Sequence, residues 1–307
     1  MIDPVAIEIG PLQLHWYGII IAAAVLIAAL LGSRVAVWLG ENPEVGWSML
    51  LPVTIVAIIG ARIYHVIHLW DHYSANPIEI PQIWNGGIGI PGAVAGGALA
   101  ILVYTRANGV NTARWLDIFA PALLLGQAIG RLGNFVNQEL YGPPTTLCGV
   151  EFPPCLPFGI PIDEAHRAGT EWTVDRFPVE TTQFVPLFAY EAILNLIGMV
   201  VLLVVVRRFA PRLFAGDLTL MYVMWYGAVR ALLEGYRTNN WVILGIPTAM
   251  WLGILAFVLA AAWFVIRHVR GWGSPMVRPA DEPATDAGVA APADVSPSQP
   301  PSEAPAG

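Results

Sequence analysis

The sequence predicts an all-α polytopic membrane protein with seven transmembrane helices and a loop or arm on its outer face. The 307 residues are 56% hydrophobic and only 12% charged, whereas charged residues make up about a quarter of a typical soluble domain. The apolar residues fall into seven runs, each near the roughly 20 residues that cross a bilayer as a helix. The basic residues are all arginine and are concentrated in alternate connections.

The seven runs and the arginines between them predict how the chain is oriented. The runs cover residues 17–38, 47–69, 86–104, 115–134, 187–206, 218–236 and 246–266. One side of the arrangement receives Arg34, Arg106, Arg114, Arg207, Arg208, Arg212, Arg267, Arg270 and Arg278, and the other only Arg167, Arg176 and Arg237. The positive-inside rule makes the first side cytoplasmic. The N-terminus is therefore predicted outside and the C-terminus inside.

Two polar segments complete the predicted domain organisation around a seven-helix domain at 1–270. Residues 143–186 are proline-rich and polar, and their length predicts an extracytoplasmic loop or arm. Residues 271–307 consist largely of Pro, Ala, Ser and acidic residues, which predicts a disordered cytoplasmic tail. Cys148 and Cys155 lie in the predicted arm, where an oxidising compartment favours a disulfide over two reactive thiols.

Glycine and histidine patterns add expectations about packing and metal binding. Gly92 with Gly96, and Gly126 with Gly130, have the four-residue spacing that allows close helix packing. The segment 86–91 is expected to leave backbone amides unpaired beside a cavity or polar ligand. A second pattern, His65, His68, Asp71 and His72, has helical spacing. A metal site is not predicted there, because no fourth ligand is evident and histidines are common at membrane interfaces.

Polar residues within the apolar runs are predicted to converge in the outer leaflet. With the N-terminus outside, the predicted cluster contains Tyr17, Arg62, Gly86, Gly87, Arg131, Asn134, Tyr190, Glu191, Arg230 and Glu234. Tyr226, Arg230, Glu234 and Arg237 follow at spacings of four, four and three residues, and so share one helix face. An ionised side chain at mid-bilayer costs about 2.5–3.5 kcal/mol on insertion scales. Such a cluster therefore needs either internal partners or a ligand.

Two interpretations of this cluster differ in what neutralises the arginines. A structural network would pair Arg230 with Glu234, and Arg131 with Glu139 or Glu191. Gln127, Asn134 and Asn137 supply donors beyond what ion pairing requires, and arginine's planar fork suits a phosphate. A phosphate in the outer leaflet indicates a phospholipid headgroup. The alternatives at this point are a transporter or flippase for an anionic solute or lipid, and a structural membrane subunit.

Residues 130–142, with the sequence GRLGNFVNQELYG, resemble the signature of bacterial prolipoprotein diacylglyceryl transferases. Supporting matches are Tyr17-Gly18, Gly60-Ala61-Arg62, the Gly86-Gly87 turn, the sequence PLFAYE at 186–191, and Tyr226-Gly227 with Arg230, Glu234 and Arg237. The chain departs from the family twice. Pro91-Gly92-Ala93 stands where the family commonly has a histidine followed by two glycines, and Val185-Pro186 stands where it commonly has His-Pro.

The resemblance implies a seven-helix transferase of the bacterial plasma membrane that acts in lipoprotein biogenesis. Its substrates would be phosphatidylglycerol and a prolipoprotein signal peptide with a lipobox cysteine. The enzyme would move the sn-1,2-diacylglyceryl group to the cysteine thiol and release glycerol 1-phosphate. Neither a metal or other cofactor nor a nucleic acid is expected to take part.

We assign hypothetical roles on this basis. Arg131 and Arg230 hold the phosphate and stabilise the departing glycerol phosphate, while Glu139, Tyr17 or water accepts the thiol proton; alternatively, the arginines lower the thiol pKa. The predicted lipid-binding residues are Arg131, Asn134, Asn137, Gly86, Gly87, Tyr190, Glu191, Tyr226 and Glu234.

Overall fold

The computed structural model describes residues 5–10, 12–156, 158–167, 170–237 and 242–279. Most of them are helical: α1 (Trp16–Trp38), α2 (Pro43–His68), α3 (Trp70–Ala75), α4 (Ile90–Ala107), α5 (Thr112–Val136), α6 (Leu187–Phe209), α7 (Asp217–Leu233) and α8 (Thr248–Arg270). There are also two antiparallel hairpins, one of β1 (Val5–Ile9) and β2 (Leu12–His15), the other of β3 (Val242–Ile243) and β4 (Ile246–Pro247). The mainly helical class is confirmed, and the hairpins are features that the sequence did not predict.

Six helices in the described part of the chain are long and apolar enough to cross a membrane. They are α1, α2, α4, α5, α6 and α8, and they match six of the predicted runs to within a few residues. The remaining run, 218–236, corresponds to α7, which is 17 residues long. A 3₁₀ turn at Glu234–Tyr236 continues α7. The protein is thus a multi-pass membrane protein.

The start of α4 differs from the prediction for a backbone reason. The run was expected to begin at residue 86, but α4 begins at Ile90. Gly86 and Gly87 have φ angles of +83° and +75°, which a right-handed helix does not contain. Pro91 lies in the first helical turn, where its missing N–H leaves no hydrogen bond unmade.

The histidine pattern does not lie on one continuous helix. Leu69 separates α2, which ends at His68, from α3. His68 stacks on Tyr64 with ring centroids 6.1 Å apart, and His72 Nε2 lies 2.8 Å from a carboxylate oxygen of Glu79. Within the described residues, no group of three or more His, Cys, Asp and Glu side chains is arranged to hold a metal ion.

Of the two predicted glycine pairs, Gly92 with Gly96 lies where the backbones of α2 and α4 approach each other closely. A Cβ on Gly96 of α4 would lie 2.5 Å from the Val56 carbonyl oxygen of α2, so only glycine fits there. Gly126 and Gly130 of α5 face α1 at ordinary van der Waals distances; a Cβ on Gly130 would lie 3.5 Å from Ile21. The first pair therefore sets the separation of α2 and α4.

The arm, residues 143–186, has a small core of its own. Ile162, Trp172, Phe177 and Phe184 form this buried cluster. The guanidinium of buried Arg167 donates to the Phe177 carbonyl at 2.6 Å and lies 4.7 Å from the centre of the Phe184 ring. Cys148 and Cys155 form the predicted disulfide. We call the end of the bundle that carries the arm the arm end.

The opposite end of the bundle holds the largest apolar core, which a short segment covers. Buried residues there include Leu39, Met49, Trp115, Ile118, Leu124, Leu218 and Met276. Residues 273–278, the strap, cross this end through bonds from Met276 N to Leu213 O at 3.0 Å and from Arg278 N to Leu39 O at 2.9 Å. The predicted disorder from residue 271 is therefore wrong for 271–279. Residues 280–307 lie outside the described residues.

A buried ion pair stabilises the end of the bundle that the strap crosses, which we call the strap end. Arg114 Nη1 of α5 lies 2.5 Å from Glu41 Oε1, and both side chains are buried. Arg278 of the strap approaches the other oxygen of Glu41 at 3.5 Å. Glu41 lies between α1 and α2, so one carboxylate joins the α1–α2 connection, α5 and the strap.

We expect Glu41→Ala to destabilise the protein by about 3–5 kcal/mol, because removing one partner of a buried pair leaves the other charge uncompensated. The exposed residue Glu44, in the first turn of α2, is the matched control. Glu44→Ala should change stability by no more than about 0.5 kcal/mol. Denaturant unfolding of the purified protein in detergent measures both, and equal effects would contradict the role of the pair.

Candidate functional site

An ion pair between α5 and α6 lies at the centre of the polar cluster at the arm end. Arg131 of α5 donates through Nη2 to the carboxylate of Glu191, in the second turn of α6. Its Nη1 donates to Asn134 Oδ1 at 3.0 Å. Of the two partners that the sequence left open for Arg131, the structure selects Glu191.

Glu139 is held beside this pair by two amides rather than by an arginine. Asn134 Nδ2 and Asn137 Nδ2 lie 2.9 and 3.4 Å from Glu139 Oε1. The backbone after α5 brings the carboxylate back, because Gln138 and Leu140 have φ angles of +49° and +58°. The chain thereby turns sharply on both sides of Glu139. Arg131, Asn134 and Glu139 form one continuous hydrogen-bonded series.

A second ion pair comes from the end of α7. Arg230 Nη2 lies 3.3 Å from Glu234 Oε2, the predicted i, i+4 pairing, and Glu234 is buried. Arg237 follows and interacts electrostatically with Arg230, Glu234, Glu191 and Arg131. Burial, reinforced by the positive charge of Arg230, holds the pKa of Arg237 below its ordinary value.

Arg237 was not among the predicted site residues, although its spacing from Glu234 placed it on the correct helix face. It was assigned to the outer loop, because helical spacing alone does not show which way a residue after a helix end points. The structure brings it to the two ion pairs.

The three predicted tyrosines have different environments. The Tyr17 ring lies against Gly133, where a Cβ would lie 2.6 Å from Tyr17 Cδ2, and it is within electrostatic range of Glu139 and Arg131. Tyr226 stacks on Tyr222 with ring centroids 6.1 Å apart. The Tyr190 hydroxyl accepts a hydrogen bond from the Leu156 N–H of the arm at 3.1 Å. The predicted tyrosines therefore lie on α1, α6 and α7, and Tyr17 is the one that approaches Arg131 and Glu139.

Gly86 and Gly87 contact a different arginine. Their carbonyls accept from Arg62 Nη1 at 2.8 and 2.9 Å, and Arg62 also donates to the carbonyls of Glu79 and Ile80. A cavity of about 290 Å³ adjoins them, lined by Arg62, His65, His72, Tyr73, Glu79, Gln82, Gly86 and Gly87. Arg62 thus holds the turn before α4, and the lipid-binding role of Gly86 and Gly87 stays a prediction.

The cluster has the chemistry of an anion site. Three guanidinium groups (Arg131, Arg230, Arg237) gather around the ion-paired carboxylates of Glu191 and Glu234, and Glu139 lies beside them. In the described part of the chain, Arg131 Nε is a buried donor without a hydrogen-bond partner. A buried donor of this kind calls for an acceptor, and a phosphate oxygen suits the arginine fork.

Comparisons with known proteins show which family the chain resembles. The family model described as prolipoprotein diacylglyceryl transferase matches residues 4–266. A phosphatidylglycerol–prolipoprotein diacylglyceryl transferase of Chloroflexus aggregans is 39% identical over 285 residues, covering 88% of this chain and 90% of the relative. Proteins with the same name from Lysinibacillus sphaericus and Listeria innocua are 35% and 36% identical, each over 88% of this chain and 93% and 91% of their own lengths.

The Arg131–Glu191 pair generates a stability prediction. Glu191→Ala leaves the Arg131 guanidinium without its carboxylate, and we expect a loss of about 1–3 kcal/mol. Adding Arg131→Ala should restore part of that loss, giving a coupling energy of about 0.5–3 kcal/mol in a double-mutant cycle. Unfolding in detergent measures the cycle, with Glu180→Ala, on the exposed surface of the arm, as control. Additive losses would contradict the pairing.

Proposed function

The chain belongs to the prolipoprotein diacylglyceryl transferase family, and we propose that it moves the sn-1,2-diacylglyceryl group of phosphatidylglycerol to the lipobox cysteine thiol of a prolipoprotein. The products are a thioether-linked lipid and glycerol 1-phosphate. One observation carries this proposal beyond the family: Arg131, Arg230 and Arg237 converge where three apolar helices end or begin. A phospholipid phosphate lies at that depth in a bilayer.

The proposed topology places the arm end outside a bacterial plasma membrane. Nine arginines belong to the opposite end or its connections, among them Arg34, Arg106 and Arg207, and the positive-inside rule makes that end cytoplasmic. The N-terminus is then outside and the C-terminal tail inside. We count α7 with its 3₁₀ turn as the seventh span, because together they reach residue 236 and connect the two ends.

Arg131 and Arg230 bind the phosphate in this proposal, and Arg237 adds the third positive charge. Asn134 and Asn137 orient the lipid and hold Glu139. Glu191 and Glu234 keep the guanidinium groups in place through their ion pairs. The rings and hydroxyl groups of Tyr190 and Tyr226 line the sides of the proposed headgroup site. Gly86 and Gly87 belong to the turn held by Arg62 and are not assigned to this phosphate site.

The reaction makes one bond and breaks one. The cysteine sulfur, as thiolate, attacks the glycerol carbon that carries the phosphate ester, so that an S–C bond forms while the C–O bond breaks. The electron pair leaves with the phosphate oxygen, which gains negative charge. Fixed donors that face this developing charge stabilise the transition state more than the ground state. The arginine cluster is such a set of donors.

We assign proton acceptance to Glu139. Pro91 occupies the position where the family commonly has a histidine, and proline has no basic side chain. Glu139 and Tyr17 both lie near Arg131. A carboxylate accepts a proton directly, whereas a tyrosine hydroxyl must first give up its own proton.

Arg131→Ala and Arg230→Ala should each lower kcat for transfer by about 10²–10³-fold or more, the loss typical of removing a donor to developing charge. Arg176, on the exposed surface of the arm, is the matched control, and Arg176→Ala should retain the wild-type rate. The measurement is transfer of labelled diacylglycerol from phosphatidylglycerol to a lipobox peptide by purified protein.

The same assay tests the function itself when the peptide cysteine is replaced by serine. Transfer to the thiol peptide alone supports the proposed reaction. Movement of phosphatidylglycerol between leaflets without transfer would instead support a flippase and overturn the proposal. Substantial transfer by either arginine variant would overturn the site while leaving the function in place.

Glu139→Gln should lower kcat by about 10²–10⁴-fold at pH 7, the usual contribution of a general base. The loss should shrink between pH 7 and 9, because the acceptor thiol, with an ordinary pKa near 8.5, then ionises without help. Tyr17→Phe should keep the wild-type pH profile. A pH-independent loss in Glu139→Gln, or a changed profile in Tyr17→Phe, would overturn the assignment of the base.

A further inference from the structure

We propose that the Cys148–Cys155 disulfide positions the arginine cluster for transfer by fixing the loop that holds Tyr190 and Tyr236. The disulfide closes residues 148–155 into a ring at the arm end. This inference rests on the proposed site. It assigns a role in the reaction to a covalent bond that touches neither substrate.

The ring is attached to the bundle by two tyrosine hydroxyls. Tyr236 Oη donates to the Pro154 carbonyl at 2.7 Å. The Leu156 N–H, one residue beyond the ring, donates to Tyr190 Oη at 3.1 Å. Both backbone groups lie within two residues of Cys155, so the disulfide fixes the stretch that carries them.

Apolar contacts reinforce the same attachment. The two cysteines pack against a buried cluster that includes Tyr190, Leu187 and Leu233. The Tyr190 and Tyr236 rings meet edge to face, with centroids 6.5 Å apart. Pro153 lies over Gly235, where a Cβ would be 3.6 Å from Pro153 Cγ. The ring therefore covers the junction between the start of α6 and the turn after α7.

The two tyrosines are adjacent in sequence to charged residues of the site. Tyr190 precedes Glu191, the partner of Arg131, and Tyr236 precedes Arg237. A displacement of either tyrosine moves the backbone of its neighbour. The ring thus sets the distance between the carboxylate that holds Arg131 and the turn that carries Arg237, two groups on different helices.

Opening the disulfide should loosen this connection without unfolding the bundle. The exposed residues Val150, Glu151, Pro153 and Pro154 leave much of the ring in contact with solvent. A cross-link restricts the conformations that such a loop can adopt. Without it, both tyrosine hydroxyls can exchange their loop partners for water, and the separation of the two ion pairs is less narrowly defined.

The test is a cycle of variants in the transfer assay, using full-length purified protein and a lipobox peptide reduced beforehand and freed of reductant. We expect the Cys148→Ser/Cys155→Ser variant to lower kcat by about tenfold, since displacements near 1 Å can cost up to about 10²-fold. Tyr236→Phe should cause a similar loss. Combining them should add little, because both remove the same attachment.

Tyr141 provides the matched control in the same arm. Its hydroxyl donates to the His166 carbonyl at 2.8 Å, away from the ring, so the effect of Tyr141→Phe should multiply with that of the serine variant. Losses that multiply for Tyr236→Phe as well, or an unchanged rate in the serine variant, would overturn the inference.

A second measurement covers the case in which the serine variant does not fold. Wild-type protein reduced after folding should lose transfer about tenfold and recover it on reoxidation, with an unchanged elution profile in detergent. Full activity of the reduced protein would overturn the inference. Arg230→Ala, run alongside, tests the site separately, because transfer retained there would overturn the site and not the role of the ring.

Discussion

The pairing of Arg131 with Glu191 is the interaction on which the arm end of this protein depends. An arginine within an apolar bundle is costly to place unless a carboxylate and further acceptors surround it. Glu191 supplies the carboxylate from the next helix in sequence, and Asn134 supplies an acceptor from the same helix. The register of α5 against α6 is therefore fixed by charge at this end, and Glu139 follows through Asn134.

Buried charged residues at the two ends of the bundle have different sets of partners. At the strap end, Glu41 receives both Arg114 and Arg278, and Asp117 accepts from the Gly216 and Thr219 N–H groups at 2.6 and 2.8 Å. These carboxylates are enclosed by their partners. At the arm end, among the described residues, the buried Arg131 Nε donor has no hydrogen-bond partner. One end thus encloses its charges, whereas the other keeps an arginine donor that a ligand can use.

The sequence correctly predicted the structural features that composition and helical spacing determine. Apolar runs located the long helices, and the i, i+4 spacing gave the Arg230–Glu234 pair. The errors arose where distant backbone contacts decide the outcome. Arg62 looked like a member of the charged cluster, yet it donates to carbonyls 17 to 25 residues away in sequence. No local pattern encodes such a partner.

The strap and the hairpins are further features that local sequence patterns did not predict. Residues 271–279 have the composition of a disordered tail, but Met276 fills the core between elements far away in the chain. β1 and β2 are too short for periodicity to separate them from an amphipathic segment. Arg237 followed the correct helical spacing, but only the 3₁₀ turn at Glu234–Tyr236 determines that it points back to the arginines.

The arginines of the proposed site favour the product side of the reaction. A phosphodiester carries one negative charge, and the proposed site presents the guanidinium groups of Arg131, Arg230 and Arg237 to it. As the C–O bond breaks, the departing phosphate acquires a second negative charge. The attraction to the three arginines therefore increases along the reaction coordinate, which is the condition for binding energy to lower the barrier rather than merely hold the substrate.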